Sequence, residues 1–219
     1  MHSSSIEDYI KHIYELQSAG DKVNTSLLAG VLNVSPASVS EMVAKLAKPG
    51  WIKNTPYKGF SLTKEGEKIA VNMVRKHRLI EVFLQQHLGY TWDEVHNEAE
   101  KLEHVCTDKF INKLDEYLGY PKFDPHGDPI PDIDGHMTDK KNYSLCEVNT
   151  QKNYTVCKVN DTSDEVLKYI SNIGITLNSE IYLSEKISFD DSVIITISGR
   201  NHLLSKKIAE NIFVEELRS

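Results

Sequence analysis

Asn24–Leu62 reads NTSLLAGVLNVSPASVSEMVAKLAKPGWIKNTPYKGFSL, and its punctuation decides the fold. Asn24 or Thr25 caps a helix over 24–34. Ser35 followed by Pro36 opens the next, because a side-chain oxygen satisfies a free N–H there and proline lacks the donor it would waste. The segment ASVSEMVAKLAK turns Val39, Met42, Val43 and Leu46 to one side and ends at Pro49-Gly50. Ser35, Ala37, Ser38, Ser40 and Glu41 are left facing outward near its start. Two short helices joined by a tight turn, the second showing small side chains, form a helix-turn-helix pattern. Trp51-Ile52 and Phe60-Ser61-Leu62 then read as short strands around a turn at Tyr57-Lys58-Gly59, which predicts a winged helix with a basic tip. Residues 36–78 hold 9 Lys/Arg against 3 Asp/Glu, a charge suited to phosphate contact. Lys45, Lys48, Lys53 and Lys58 are the candidate phosphate contacts. The small residues at 35–41 imply few bidentate base contacts and some reliance on DNA shape. The bland alternative is a helical unit that packs only against protein.

Upstream, residues 5–19 predict a helix capped by Ser5, with Ile6, Tyr9, Ile10, Ile13, Tyr14 and Leu16 as its apolar stripe. Asp8 sits just off that stripe, where a lone carboxylate ordinarily serves the helix dipole. Downstream, 64–88 predicts one long helix, 91–105 a second with a Thr91/Glu94 capping box, and 107–118 a third capped by Thr107. His77 and Glu81 lie four apart on the first. Glu100, Glu103 and His104 lie at i, i+3 and i+4 on the second, with His96 one turn before. Such spacings stack side chains on one helix face, so two helices each present imidazole and carboxylate together. That is a divalent-metal donor set, and two clusters with His in both outweigh a merely solvated face.

Residues 119–142 are rich in Pro, Gly and Asp and predict a linker or ordered loop. Asp124 and His126 within it are further candidate ligands, although both residue types are also ordinary turn formers. Beyond 143 the runs YTVCKVN, ITLNSEIYLSE, SVIITISG and IFVEEL predict short strands of a small barrel, interrupted by a helix at DEVLKYISNIG. Asp161 and Asp164 precede that helix. Net charge is −7, but it is uneven: +4 over 1–78, −9 over 79–140 and −2 over 141–219. A basic first third joined to an acidic middle suggests polyanion contact followed by cation binding. The three cysteines form no CxxC, as expected of reduced thiols in a cytoplasmic protein. No run of 18 apolar residues and no signal peptide is visible, so no membrane association is expected.

Assembled, IEDYIKHIYEL, SPASVSEMVAKL, LTKEGEKIA, RKHRLIE, VHNEAEKLEH and DPHGDPIP resemble the metal-dependent repressors of the diphtheria toxin repressor and manganese transport regulator type. The strand-rich tail ending in VEEL is similar to the SH3-like (FeoA-like) third domain of the longer members. The resemblance implies an α+β chain: a winged-helix DNA-binding domain at 1–72, a helical dimerisation and metal-binding domain at 73–140, and an SH3-like domain at 141–219. It implies a homodimer on a palindromic operator, activated by metal. By that resemblance Asp8, His77, Glu100, Glu103 and His104 look like the activating site. Glu81 and His96 belong in or near a second site, which Asp124, His126 and Asp161 complete. Iron-responsive members place Met and Cys where this chain has Asp8 and Glu100. The hard carboxylates therefore favour Mn2+, with Fe2+ as the alternative. The short manganese regulators place Glu at the position of Lys11, so their paired-metal arrangement on the first helix is not expected here.

Two other classes compete. Helical carboxylate oxidases also line up Glu and His, but they use an E-x-x-H pair on each of two helices, which EKLEH does not supply. No nucleophile elbow, P-loop or zinc-protease motif appears, so an enzyme is not expected. The C-terminal barrel also admits a role in binding a partner protein or peptide.

Overall fold

The expected helices and strands recur in the computed structural model, which describes residues 3–55, 59–138, 141–160 and 164–217. Helix α1 spans Ser4–Ser18, so it starts from Ser3 rather than the expected Ser5. In α2 (Thr25–Val31) the Asn24 side chain accepts from Leu27 N–H, and in α3 (Pro36–Ala47) Ser35 accepts from Ser38 N–H. Both caps fall where the sequence placed them. Strands β1 (Ile52–Thr55) and β2 (Gly59–Leu62) pair antiparallel, with Ile52 opposite Leu62. The wing tip, including Lys58, lies outside the described residues. Gly59 is required where it stands: its φ is +83°, and a Cβ there would lie 2.1 Å from the Val23 carbonyl oxygen.

Helix α4 (Lys64–Leu88) runs 25 residues without a break. It begins under the winged helix, where Ala70 joins the first core with Tyr9, Ile13, Leu28, Val39, Leu46 and Phe60. It continues into a second core, where Leu79, Ile80, Val82 and Leu84 meet α5 (Trp92–Leu102) and α6 (Asp108–Tyr117) through Val95, Ala99 and Ile111. The Thr91/Glu94 capping box forms as expected.

Of the two readings of the stretch from 119, the described residues 119–138 take the ordered loop. The loop folds back over α4 and α5, with Asp124 5% and His126 0% exposed. Past it come β3 (Tyr143–Ser144), β4 (Lys152–Val159), α7 (Asp164–Asn172), β5 (Glu180–Lys186), β6 (Val193–Ile197), β7 (Arg200–Leu204), α8 (Lys206–Ala209) and β8 (Ile212–Glu216). The strands form one antiparallel sheet in the order β3-β8-β4-β5-β6-β7, in keeping with an SH3-like barrel. The expected strand from Ile175 begins only at Glu180, because 176–179 turn with Thr176 N–H bonded to the Ser179 hydroxyl. Trp92, at the start of α5, enters the third core beside Leu167, Ile170 and Val156, and so joins the sheet to the helical part.

Candidate metal centre

Helical spacing delivers the side chains from three directions. Helix α1 contributes Glu7, Asp8 and Lys11, α4 contributes His77 and Glu81, and α5 contributes His96 and Glu100 with Glu103 at its C-cap and His104 just beyond. Asp8, Glu100, Glu103 and His104 each offer one donor atom, all within 4.8 Å of one another. His104 Nδ1 lies 2.9 Å from the Glu7 carboxylate, a contact that fixes the ring and turns Nε2 toward Asp8. That Nε2 lies 2.8 Å from Asp8 Oδ1. Asp8 Oδ1 is buried and has no hydrogen-bond partner among the described residues. Burial lifts the Asp8 carboxyl above its usual range, with the charge of His104 opposing. An imidazole nitrogen and a buried carboxylate oxygen held this close are donor atoms of the kind that a coordinated cation joins.

A second cluster joins Glu81, Asp124 and His126, all buried, with donor atoms again within 4.8 Å. His126 Nε2 donates to the Trp92 carbonyl at 3.1 Å, which leaves Nδ1 as the acceptor. Nδ1 is buried, lies 4.0 Å from Glu81 Oε1 and has no hydrogen-bond partner among the described residues. Asp124 Oδ1 accepts from the backbone N–H of His126 and Asp128, which shapes the loop. Burial and the neighbouring Glu81 charge push the Asp124 carboxyl up to about 7. Burial would raise Glu81 too, but the facing His77 charge and the hydrogen bonds of His77 and His96 hold it well below the carboxylate range. Two carboxylates and an imidazole, dry and incompletely paired, again fit a cation.

His77 lies between the clusters. Its Nδ1 is 2.5 Å from Glu103 Oε2 and its Nε2 is 3.1 Å from Glu81 Oε1. His77 thus reaches the first cluster through Glu103, and it also offers a donor atom within 4.8 Å of those of His96 and Glu100. The His96 ring stands edge-on to His77, with centroids 4.9 Å apart. Asp161 lies outside the described residues. Sequence reasoning missed Glu7, whose only signal was its position one residue before Asp8, and it gave Lys11 no contacts.

The candidate DNA contacts among the described residues face outward: Ser35, Ala37, Ser38, Ser40, Glu41, Lys45, Lys48 and Lys53 are exposed. The first five lie at the start of α3, the end from which a recognition helix contacts base edges. Among the described residues no single helix is long and apolar enough to cross a membrane.

Comparison with known proteins agrees with this layout. Family profiles match the iron dependent repressor N-terminal DNA binding domain over 1–60, the iron dependent repressor metal binding and dimerisation domain over 63–132, and the FeoA domain over 143–216. The diphtheria toxin repressor of Corynebacterium glutamicum is 27% identical over 221 residues, covering 96% of each chain. The iron-dependent repressor of Mycobacterium tuberculosis is 33% identical over 127 residues, 58% of this chain and 55% of that one. A solved structure titled manganese-dependent transcriptional repressor complex with manganese is 37% identical, covers 97% of this chain and 100% of its own, and superposes with a TM-score of 0.88.

Proposed function

The chain belongs to the iron-dependent repressor family of metal-dependent, DNA-binding transcriptional repressors, and from that premise we propose that it is a manganese-responsive repressor of metal-uptake genes, acting in the cytoplasm as a homodimer on a palindromic operator. The observation that carries the choice of metal is the donor chemistry. The clusters at Asp8/Glu100/Glu103/His104 and Glu81/Asp124/His126 contain oxygen and nitrogen donors and no sulfur. Carboxylate and imidazole suit Mn2+, whereas thiolate and thioether draw softer ions. The iron-dependent relatives make Fe2+ the competing ligand.

In this reading Asp8, Glu100, Glu103 and His104 form the activating site. Glu81, Asp124 and His126 form a second one, to which Asp161 is the proposed further ligand, and His77 and His96 link the two. A divalent ion supplies the charge neutralisation that the clustered carboxylates lack and bonds that join α1 to α5. Asp8 ties the winged helix, through α1, to the scaffold of α4 and α5. The same α4 carries the base of the winged helix, so seating α1 fixes the attitude of α3. Lys45, Lys48, Lys53 and Lys58 then meet phosphates while the start of α3 reads the groove. We place the divisions between the three parts at 72/73 and 140/141.

The test is operator binding by fluorescence anisotropy across a metal series, with chelator as control. Mn2+ should raise affinity at least about tenfold, a coupling typical of allosteric effectors. Glu100→Ala or His104→Ala should remove that stimulation. Manganese dependence that survives either substitution refutes the site, and a larger response to Fe2+ than to Mn2+ moves the reading to iron.

A further inference from the structure

Between the two glutamates of the first cluster and His77 stands a cation of the chain's own. Lys11 Nζ lies 2.6 Å from Glu100 Oε2, 2.9 Å from each Glu103 oxygen and 3.1 Å from His77 Nδ1. An ammonium has three N–H donors, and the Glu100 oxygen and the two Glu103 oxygens use all of them within the protein. The Lys11 side chain is 3% exposed and that of Glu103 0%, so the contact is dry. Burying a lysine in this way is costly unless it neutralises charge that is itself buried. Its partners come from α4 and α5, whereas Lys11 stands on α1, so the ion pairs cross the same junction that Asp8 and His104 would close.

Charge sharpens the point. Asp8, Glu100 and Glu103 bring three negative charges to one cluster, and Lys11 returns one positive. With the His77 charge set against Glu81, 3.1 Å away, the remainder matches one divalent ion. We propose that Lys11 is a resident cation of this centre, a positioning residue that seats α1 on the α4–α5 scaffold before any divalent ion binds and trims the cluster to the charge that a single such ion neutralises. The proposal rests on the reading of Asp8, Glu100, Glu103 and His104 as metal ligands. It adds a built-in holding contact, which makes the ion-free junction assembled rather than open. It also bears on His77 and Glu100, which together with His96 offer donor atoms within 4.8 Å of one another.

The experiment compares the full-length wild type, Lys11→Met and Lys11→Arg after chelator treatment. The first readout is thermal unfolding without metal, and the second is Mn2+ bound per chain by equilibrium dialysis. Lys11→Met keeps the length but not the charge. It should lower the melting midpoint by about 10 °C in chelator, as expected when a buried ion pair loses one partner. It should also recover most of that loss in saturating Mn2+ and take up about one Mn2+ more per chain than the wild type. Lys11→Arg should follow the wild type in both readouts. If Lys11→Met is unfolded in chelator, adding Mn2+ should refold it, as followed by circular dichroism, and failure to refold while Lys11→Arg folds overturns the proposal. So does a Lys11→Met midpoint within about 2 °C of wild type, or unchanged Mn2+ uptake. A wild type that binds no Mn2+ would instead sink the metal-site reading, while the chelator comparison of the two variants would still report on Lys11.

Discussion

Glu7 was the residue hardest to read in advance. Next to Asp8 in the first turns of a helix, a second acidic side chain reads as complement to the helix dipole. In the fold it is 8% exposed and fixes the ring of His104, so it acts on the site without belonging to it. Removing such an outer partner of a ligating histidine typically weakens metal binding 10–100-fold. Glu7→Gln, which keeps the shape and loses the charge, should therefore weaken Mn2+ binding about tenfold by isothermal titration, with little change in the fold. Affinity equal to wild type would show that His104 holds its orientation without Glu7. Asp8, Glu100, Glu103 and His104 were legible as a set only through family resemblance joined to the i, i+3, i+4 spacing. The burial of Lys11 was not legible: it stands four residues after Glu7 beside the apolar stripe, and nothing local distinguishes that from an exposed lysine.

At the scale of elements, caps and periodicity located the helices well, because Asn24, Ser35, Thr91 and Thr107 act through contacts within four residues. What failed was set by partners far along the chain. Strand β7 and the short helix α8 were not foreseen, and β5 starts later than its β-branched residues suggest. The loop over 119–142 read equally as a linker or an ordered loop, because its composition suits both. Its order comes from the third part of the molecule: Val159 N–H bonds the His126 carbonyl, and Lys158 pairs with Asp128 at 2.6 Å. Gly127 makes that approach possible. Its φ is +93°, and a Cβ would lie 2.2 Å from the Cys157 carbonyl oxygen. Gly127→Ala should cost at least about 2 kcal/mol, since an L side chain is strained there even before the clash. In differential scanning calorimetry the unfolding of the sheet should separate from that of the helical core. A single unshifted transition would mean the loop can yield without loss.

For the molecule as a whole, the buried charges of the two clusters make stability without metal depend on pH. The charge of Glu81 and hydrogen bonds to Glu103 and Glu81 outweigh burial and raise His77 from 6.5 to about 9. Its contribution is complete below pH 6.5 and is lost as pH rises through about 9. Asp124, raised from 3.8 to about 7, works in the same direction over a lower window, because the folded chain prefers it neutral. Together they predict that the chelator-treated protein loses on the order of 3 kcal/mol between pH 6.5 and 9. The measurement is the urea midpoint across that range, and a midpoint that holds or climbs with pH would contradict it.

The unbroken course of α4 has a further consequence. Lys64, under the wing, and His77, at the centre, ride on one rigid rod roughly 20 Å apart along its axis. A rod of that reach works as a lever. A tilt of about 5° at the His77 end sweeps the far end through nearly 2 Å, more than separates a made hydrogen bond from a broken one. Ionic contacts of ångström precision can therefore steer a reading head that they never touch, with no hinge and no unfolding.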